Sequence, residues 1–244
     1  MPDPTALARS ESPSFDRSLV LSALLFAACR FVPLPFADDL LRSAVGRMIV
    51  SRLLDQHGRT YSSSRVSSLY SEPGGCFGGC LVALPRFLAK LVLFPIRKIL
   101  SWLFALRGVT RDLVTALLLG RTVERCLVRG LLPEGSDELA LESRHIRLAF
   151  DGALEKSELG LSKAALTLAL TRSKQSLGAA GRAVGAMFQK KPDAAAGEFP
   201  ESERELVNQG ADQVESALRE PGVEKEIADF DQRFDAELER LRGA

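Results

Sequence analysis

Between Cys80 and Arg107 the chain reads CLVALPRFLAKLVLFPIRKILSWLFALR, its most apolar long run, with Arg86, Lys90, Arg97, Lys98 and Arg107 set into it. At roughly 100° per residue, Arg86, Lys90 and Arg97 share one narrow helical stripe, with Arg107 at its edge and Lys98 off it. Leu84, Leu91, Val92, Ile96, Ile99, Trp102, Leu103 and Leu106 fill most of the remaining circumference. Spanning a bilayer would bury several of these cations in hydrocarbon, at about 2.5–3.5 kcal/mol each near its centre. An ordinary transmembrane helix is therefore excluded. A helix lying in the interface costs far less, because the basic stripe faces anionic headgroups while Phe87, Phe94, Trp102 and Phe104 enter the acyl boundary. A core helix of a soluble bundle, with its cations at the rim, is the other arrangement this pattern permits.

Charge is segregated although the net charge is only +1. Residues 61–133 carry a net +7, 134–158 a net −4, 159–191 a net +6 without a single acid, and 192–244 a net −9. Such blocks point to pairing within the chain or to an anionic partner. A corollary expectation is that the acidic tail folds back on 159–191 and competes there with anionic lipid. With 46% hydrophobic residues the chain has enough apolar material for a sizeable core.

The rest of the chain reads as helices throughout, without alternating strand patterns or internal repeats. Residues 1–16 form a Pro/Ser-rich leader of mixed charge. Ser18 to Cys29 is uncharged but too short to span a bilayer, which needs about 20 residues, so it reads as a buried first helix. Phe26-Ala-Ala-Cys29 also looks like a bacterial lipoprotein cleavage box, although Asp3, Glu11 and Asp16 spoil the positive leader such signals carry. Val32-Pro-Leu-Pro-Phe36 breaks the chain before a second helix, which Asp38 or Asp39 caps and Gly58 stops. Residues 18–57 thus form a helical hairpin. The glycine-rich Pro73 to Cys80 is a connector. Pro95 is expected to kink the 80–107 helix, and Gly108 to end it. Thr110 then caps a helix to about Leu132, and Ser136 caps another with Asp137 and Glu138 in its first turn.

From Gly160 to Lys191, Leu166, Leu170, Ser173, Leu177, Ala180, Val184 and Met187 form a seam of mostly small residues. Residues 192–200 are a linker. Residues 201–244 form an acidic helical tail, broken at Pro221-Gly222. Its stripe of Val223, Ile227, Phe230, Phe234, Leu238 and Leu241 suits a partner helix or self-association. The expected architecture is all-α: helical hairpins in an irregular bundle, with a long basic helix and an acidic tail. Its units are a leader (1–16), an apolar core or membrane-associated hairpins (17–132), an extended helical region that turns basic at 159 (133–191), the linker and the tail.

Catalytic chemistry finds no support in the residues. No phosphate loop, dinucleotide fingerprint, zinc-protease motif or nucleophile elbow is present. Cys76 and Cys80 lack two further ligands at zinc spacing, and His57 and His145 stand far apart. Asp38 and Asp39 are read as a helix cap. No catalytic residue, cofactor or metal is expected. Two tyrosines and one tryptophan offer little for stacking bases, so nucleic acid is not the expected partner. Scattered free thiols suit a reducing compartment. The functional expectation is a non-catalytic helical protein on the cytoplasmic face of a membrane. Arg86, Lys90, Arg97, Lys98, Trp102 and Arg107 would touch anionic lipid. The alternatives are a soluble adaptor using the tail stripe, and a lipoprotein anchored through Cys29.

Overall fold

The computed structural model describes residues 15–31, 38–59, 61, 65–70, 94–133, 137–189 and 201–243. Among the described residues there are nine α-helices and no strand, so the protein is all-α. The helices are α1 (Arg17–Ala28), α2 (Asp38–Gln56), α3 (Ser67–Tyr70), α4 (Phe94–Val128), α5 (Asp137–Lys156), α6 (Gly160–Arg172), α7 (Lys174–Gln189), α8 (Glu201–Leu218) and α9 (Pro221–Arg242), with one 3-10 turn at Cys29–Phe31.

The short helix α1, uncharged after Arg17, lies at the centre. Leu19, Val20, Ala23, Leu24, Ala27 and Ala28 are buried along one half of the helix, and Leu21, Leu25 and Phe26 on the other half are partly buried. A helix that is apolar all round is stable only when covered all round. Here α2, α4, α7 and α8 provide that cover. α1 and α2 form the expected hairpin: Arg52 donates to the Ser22 hydroxyl at 3.5 Å, and Gln56 to the Ser18 hydroxyl at 3.2 Å. Gly58 ends α2 in the left-handed region (φ 64°), with Gly58 N–H bonded to Asp55 O and Arg59 N–H to Leu54 O. That pairing satisfies the last carbonyls of the helix, as the sequence suggested.

α4 differs from expectation. It runs unbroken from Phe94 to Val128 rather than stopping at Gly108, and the 80–93 arm of the kink expected at Pro95 lies outside the described residues. Gly108 sits within the helix, where an added Cβ would come 2.7 Å from the Arg30 guanidinium carbon. Arg30 reaches across to ion-pair with Asp112 one turn further on. The glycine therefore serves the approach of a side chain rather than a stop. The stop is at Gly130 (φ 67°), with Leu131 N–H bonded to Cys126 O at 2.9 Å. The sequence placed the end of this helix, Val128, about four residues later, near Leu132.

The basic stretch 159–191 is two helices rather than one, divided at Ser173. Thr167 and Thr171 donate their hydroxyls to the carbonyls four residues back, Lys163 and Thr167, a bond that bends helices. The seam nonetheless faces inward on both halves: Leu166, Leu170, Ser173, Leu177, Ala180 and Val184 are buried.

The acidic tail is part of the core. α8 packs on α1, α6 and α7, and α9 packs on α5 and α6. Phe230 meets Phe150 edge-on, with centroids 5.6 Å apart at 71°.

Candidate functional site

The lipid-facing set proposed from sequence falls in two parts. Arg86 and Lys90 lie outside the described residues, as does the Gly/Cys connector at 73–80. Arg97, Lys98, Trp102 and Arg107 lie on the first half of α4, and the helix that carries them continues without interruption into the core. From Val109 onward that helix is anchored. Val109, Leu113, Leu117 and Val123 are buried, and Thr110 shares a hydrogen bond of 3.0 Å with Thr167 of α6. No helix among the described residues is long and apolar enough to cross a membrane.

The tail stripe is located just as plainly. Val223, Ile227, Phe230, Phe234 and Leu238 are buried and Leu241 is partly buried, all within this chain. Period-matched apolar residues mark a helix that must pack on something; here α9 packs on α5 and α6. Cys29 is buried too, its thiol donating to Leu25 O at 3.5 Å. Cleavage before Cys29 would remove α1, the helix around which the others close.

A charge ladder that the sequence reading did not single out joins α4 to α9. Arg121 donates twice to Asp231 Oδ2, at 3.0 and 2.9 Å. Arg125 bridges Asp231 and Asp235, at 3.0 and 2.8 Å, and Arg129 reaches Asp235 at 2.8 Å. The spacing was visible: arginines at 121, 125 and 129 and aspartates at 231 and 235 each recur every four residues, on one helix face. Their mutual facing was not. This ladder shows where part of the positive 61–133 block spends its charge.

The acidic tail also engages the basic stretch directly. Glu226 accepts from the Leu161 and Ser162 amides at 2.9 and 2.8 Å and from the Ser162 hydroxyl at 2.7 Å, at the start of α6. Burial works against the Glu226 charge, but these bonds together prevail and its carboxyl is held below its ordinary value. Arg182 of α7 pairs with Glu203 of α8 at 2.7 Å, and Lys156 pairs with Glu237.

Two further features bear on chemistry. The Cys126 thiol is pushed up to about 12, chiefly by burial and against the pull of Arg125 and Arg129, so it stays protonated and unreactive. Among the described residues no three His, Cys, Asp or Glu side chains are placed to hold a metal ion. A surface groove of about 700 Å³ opens beside the α6–α7 junction, against α8. No known protein family, curated protein or solved structure matches this chain.

Proposed function

We propose that this protein is a non-catalytic, peripheral membrane protein: a folded helical bundle held on an anionic surface, such as a cytoplasmic leaflet, by the first half of α4. The observation that carries this reading is the continuity of α4. Its second half is fastened in the core, and its first half bears Arg97, Lys98, Trp102 and Arg107 among apolar residues. An amphipathic helix with cations at its edge gains from both apolar insertion and attraction to anionic headgroups. The burial of α1 and of much of α2 within the bundle supports assigning this contact to α4 rather than to the hairpin at 18–57.

The test is sedimentation of the full chain with vesicles of phosphatidylcholine alone and with added phosphatidylglycerol. Binding is expected only with the anionic lipid, and salt should weaken it. Reversing Arg97 and Lys98 to Glu should lower affinity by about tenfold or more, since each surface cation is worth roughly 1 kcal/mol there. Equal binding to both vesicles, or to neither, overturns the reading.

A soluble adaptor is the second reading. Leu161 and Leu168, one heptad apart on α6, are 58% and 50% exposed and offer a contact that the buried tail stripe does not. Under that reading the chain stays in the supernatant with both vesicles.

A further inference from the structure

At Ser173, where α6 gives way to α7, the surface opens into a groove of about 700 Å³ closed on its far side by α8. Arg172 and Lys174 line it, and no carboxylate appears among the described residues that do. Ser173 and Ser176 also line it, at 7% and 3% exposed. Neither hydroxyl has a hydrogen-bond partner among the described residues. Neither oxygen is sealed off from solvent, so both hydroxyls are open to an occupant of the groove with acceptor oxygens.

Geometry adds donors from two sides. Lys174, Gln175 and Ser176 open the 16-residue helix α7, whose first bond into its own turn is Leu177 N–H to Ser173 O at 3.2 Å. The amides ahead of that bond, with the positive end of the helix dipole, favour an anion. Across the groove, α8 comes close because residue 210 is glycine: an added Cβ there would lie 2.6 Å from Ser176 Cβ. Gln209 and Gln213, flanking Gly210, bring their amides to the same space.

We propose that this groove binds a phosphate monoester. Arg172, Lys174 and the α7 amides would neutralise the phosphate oxygens, and Ser173 and Ser176 would donate to them. Gln209 and Gln213 would hold the hydroxyls of the attached group, for which the volume leaves room. Two sources carry this chemistry: a free phosphorylated small molecule and a phosphomonoester lipid headgroup. The site itself does not depend on α4 touching a membrane.

The test titrates the full chain with glycerol phosphate by calorimetry, and separately with phosphatidylcholine vesicles with and without phosphatidic acid. Saturable binding is expected. Arg172→Gln and Gln209→Glu, both at exposed positions, should each weaken it about tenfold, as loss of a charged hydrogen bond or an added like charge requires. Arg182→Gln, outside the groove, should leave it unchanged. Binding of the soluble probe assigns the free ligand; binding confined to phosphatidic acid vesicles, and sensitive to Arg172→Gln, assigns the headgroup. Reversing Arg97 and Lys98 must leave glycerol phosphate binding intact, which separates this site from the α4 contact. No saturable binding in either arm, or binding that survives both groove variants, overturns the proposal.

Discussion

Arg121 and Asp231 stand 110 positions apart in the chain, yet two guanidinium nitrogens donate to one carboxylate oxygen at 3.0 and 2.9 Å, with both side chains close to nine-tenths buried. This ion pair ties α4 to the C-terminal helix α9. Asp231 also meets Arg125, so one carboxylate compensates two partly buried cations.

Removing that carboxylate is expected to cost more than removing an exposed one. Asp231→Ala strands Arg121 and part of Arg125 away from water, and should destabilise by about 3 kcal/mol. Asp212→Ala breaks the exposed pair with Arg17 and should leave the urea midpoint unchanged. Urea unfolding of both variants checks the contrast; equal midpoints would show that the ladder is ornamental.

Gly120 marks the closest approach of α1 to α4. A Cβ there would lie 2.2 Å from Leu19 Cδ1, and Leu19 is buried. Gly120→Ala should therefore destabilise by about 1–3 kcal/mol despite its better helix propensity. Gly160→Ala, where nothing lies within 4 Å, should not. Thermal unfolding of the two alanine variants side by side is the measurement.

Glu226 links stability to pH. Its folded carboxyl titrates below the ordinary value of 4.5, because the bonds from Ser162 and Leu161 outweigh its burial. A lowered folded pKa contributes stability that is fully present above the unfolded value and fades as pH falls through the folded one. Glu226→Gln keeps an acceptor but loses the charge. The wild-type advantage over this variant should be constant near neutrality and shrink from about pH 4.5 downward. Urea midpoints of both proteins across that range test the sign.

Cys126 should be silent in the native state. With its thiol pushed up to about 12 by burial, a thiol reagent at neutral pH is expected to leave the Cys126 peptide unmodified until denaturant is added. Peptide mass mapping reads this directly. Native labelling at Cys126 would mean that α4 parts from its neighbours readily.

Helix existence was largely legible, because an apolar seam at three- and four-residue spacing has few other interpretations. The seam from Leu166 to Val184 and the stripe from Val223 to Leu238 both face inward as spaced. Breakers were harder to interpret. Gly58 ends its helix, whereas Gly108 does not, since a glycine can serve either a left-handed turn or a close contact. Of the candidate sites, the α4 cations could be picked out from one helical period. The groove could not, because Ser173 and Ser176 meet Gln209 and Gln213 only through folding.

The sequence by itself determined that the chain is helical, which faces of its helices are apolar and where its charges are segregated, because these depend on residues within a few turns of one another. Tertiary structure alone decided what each face meets. It placed α1 at the centre, turned the tail stripe onto α5 and α6 rather than toward an outside partner, and set Asp231 against Arg121. Hydrophobic burial is non-directional, so a periodic stripe specifies that it must be covered and leaves the identity of the cover to long-range packing.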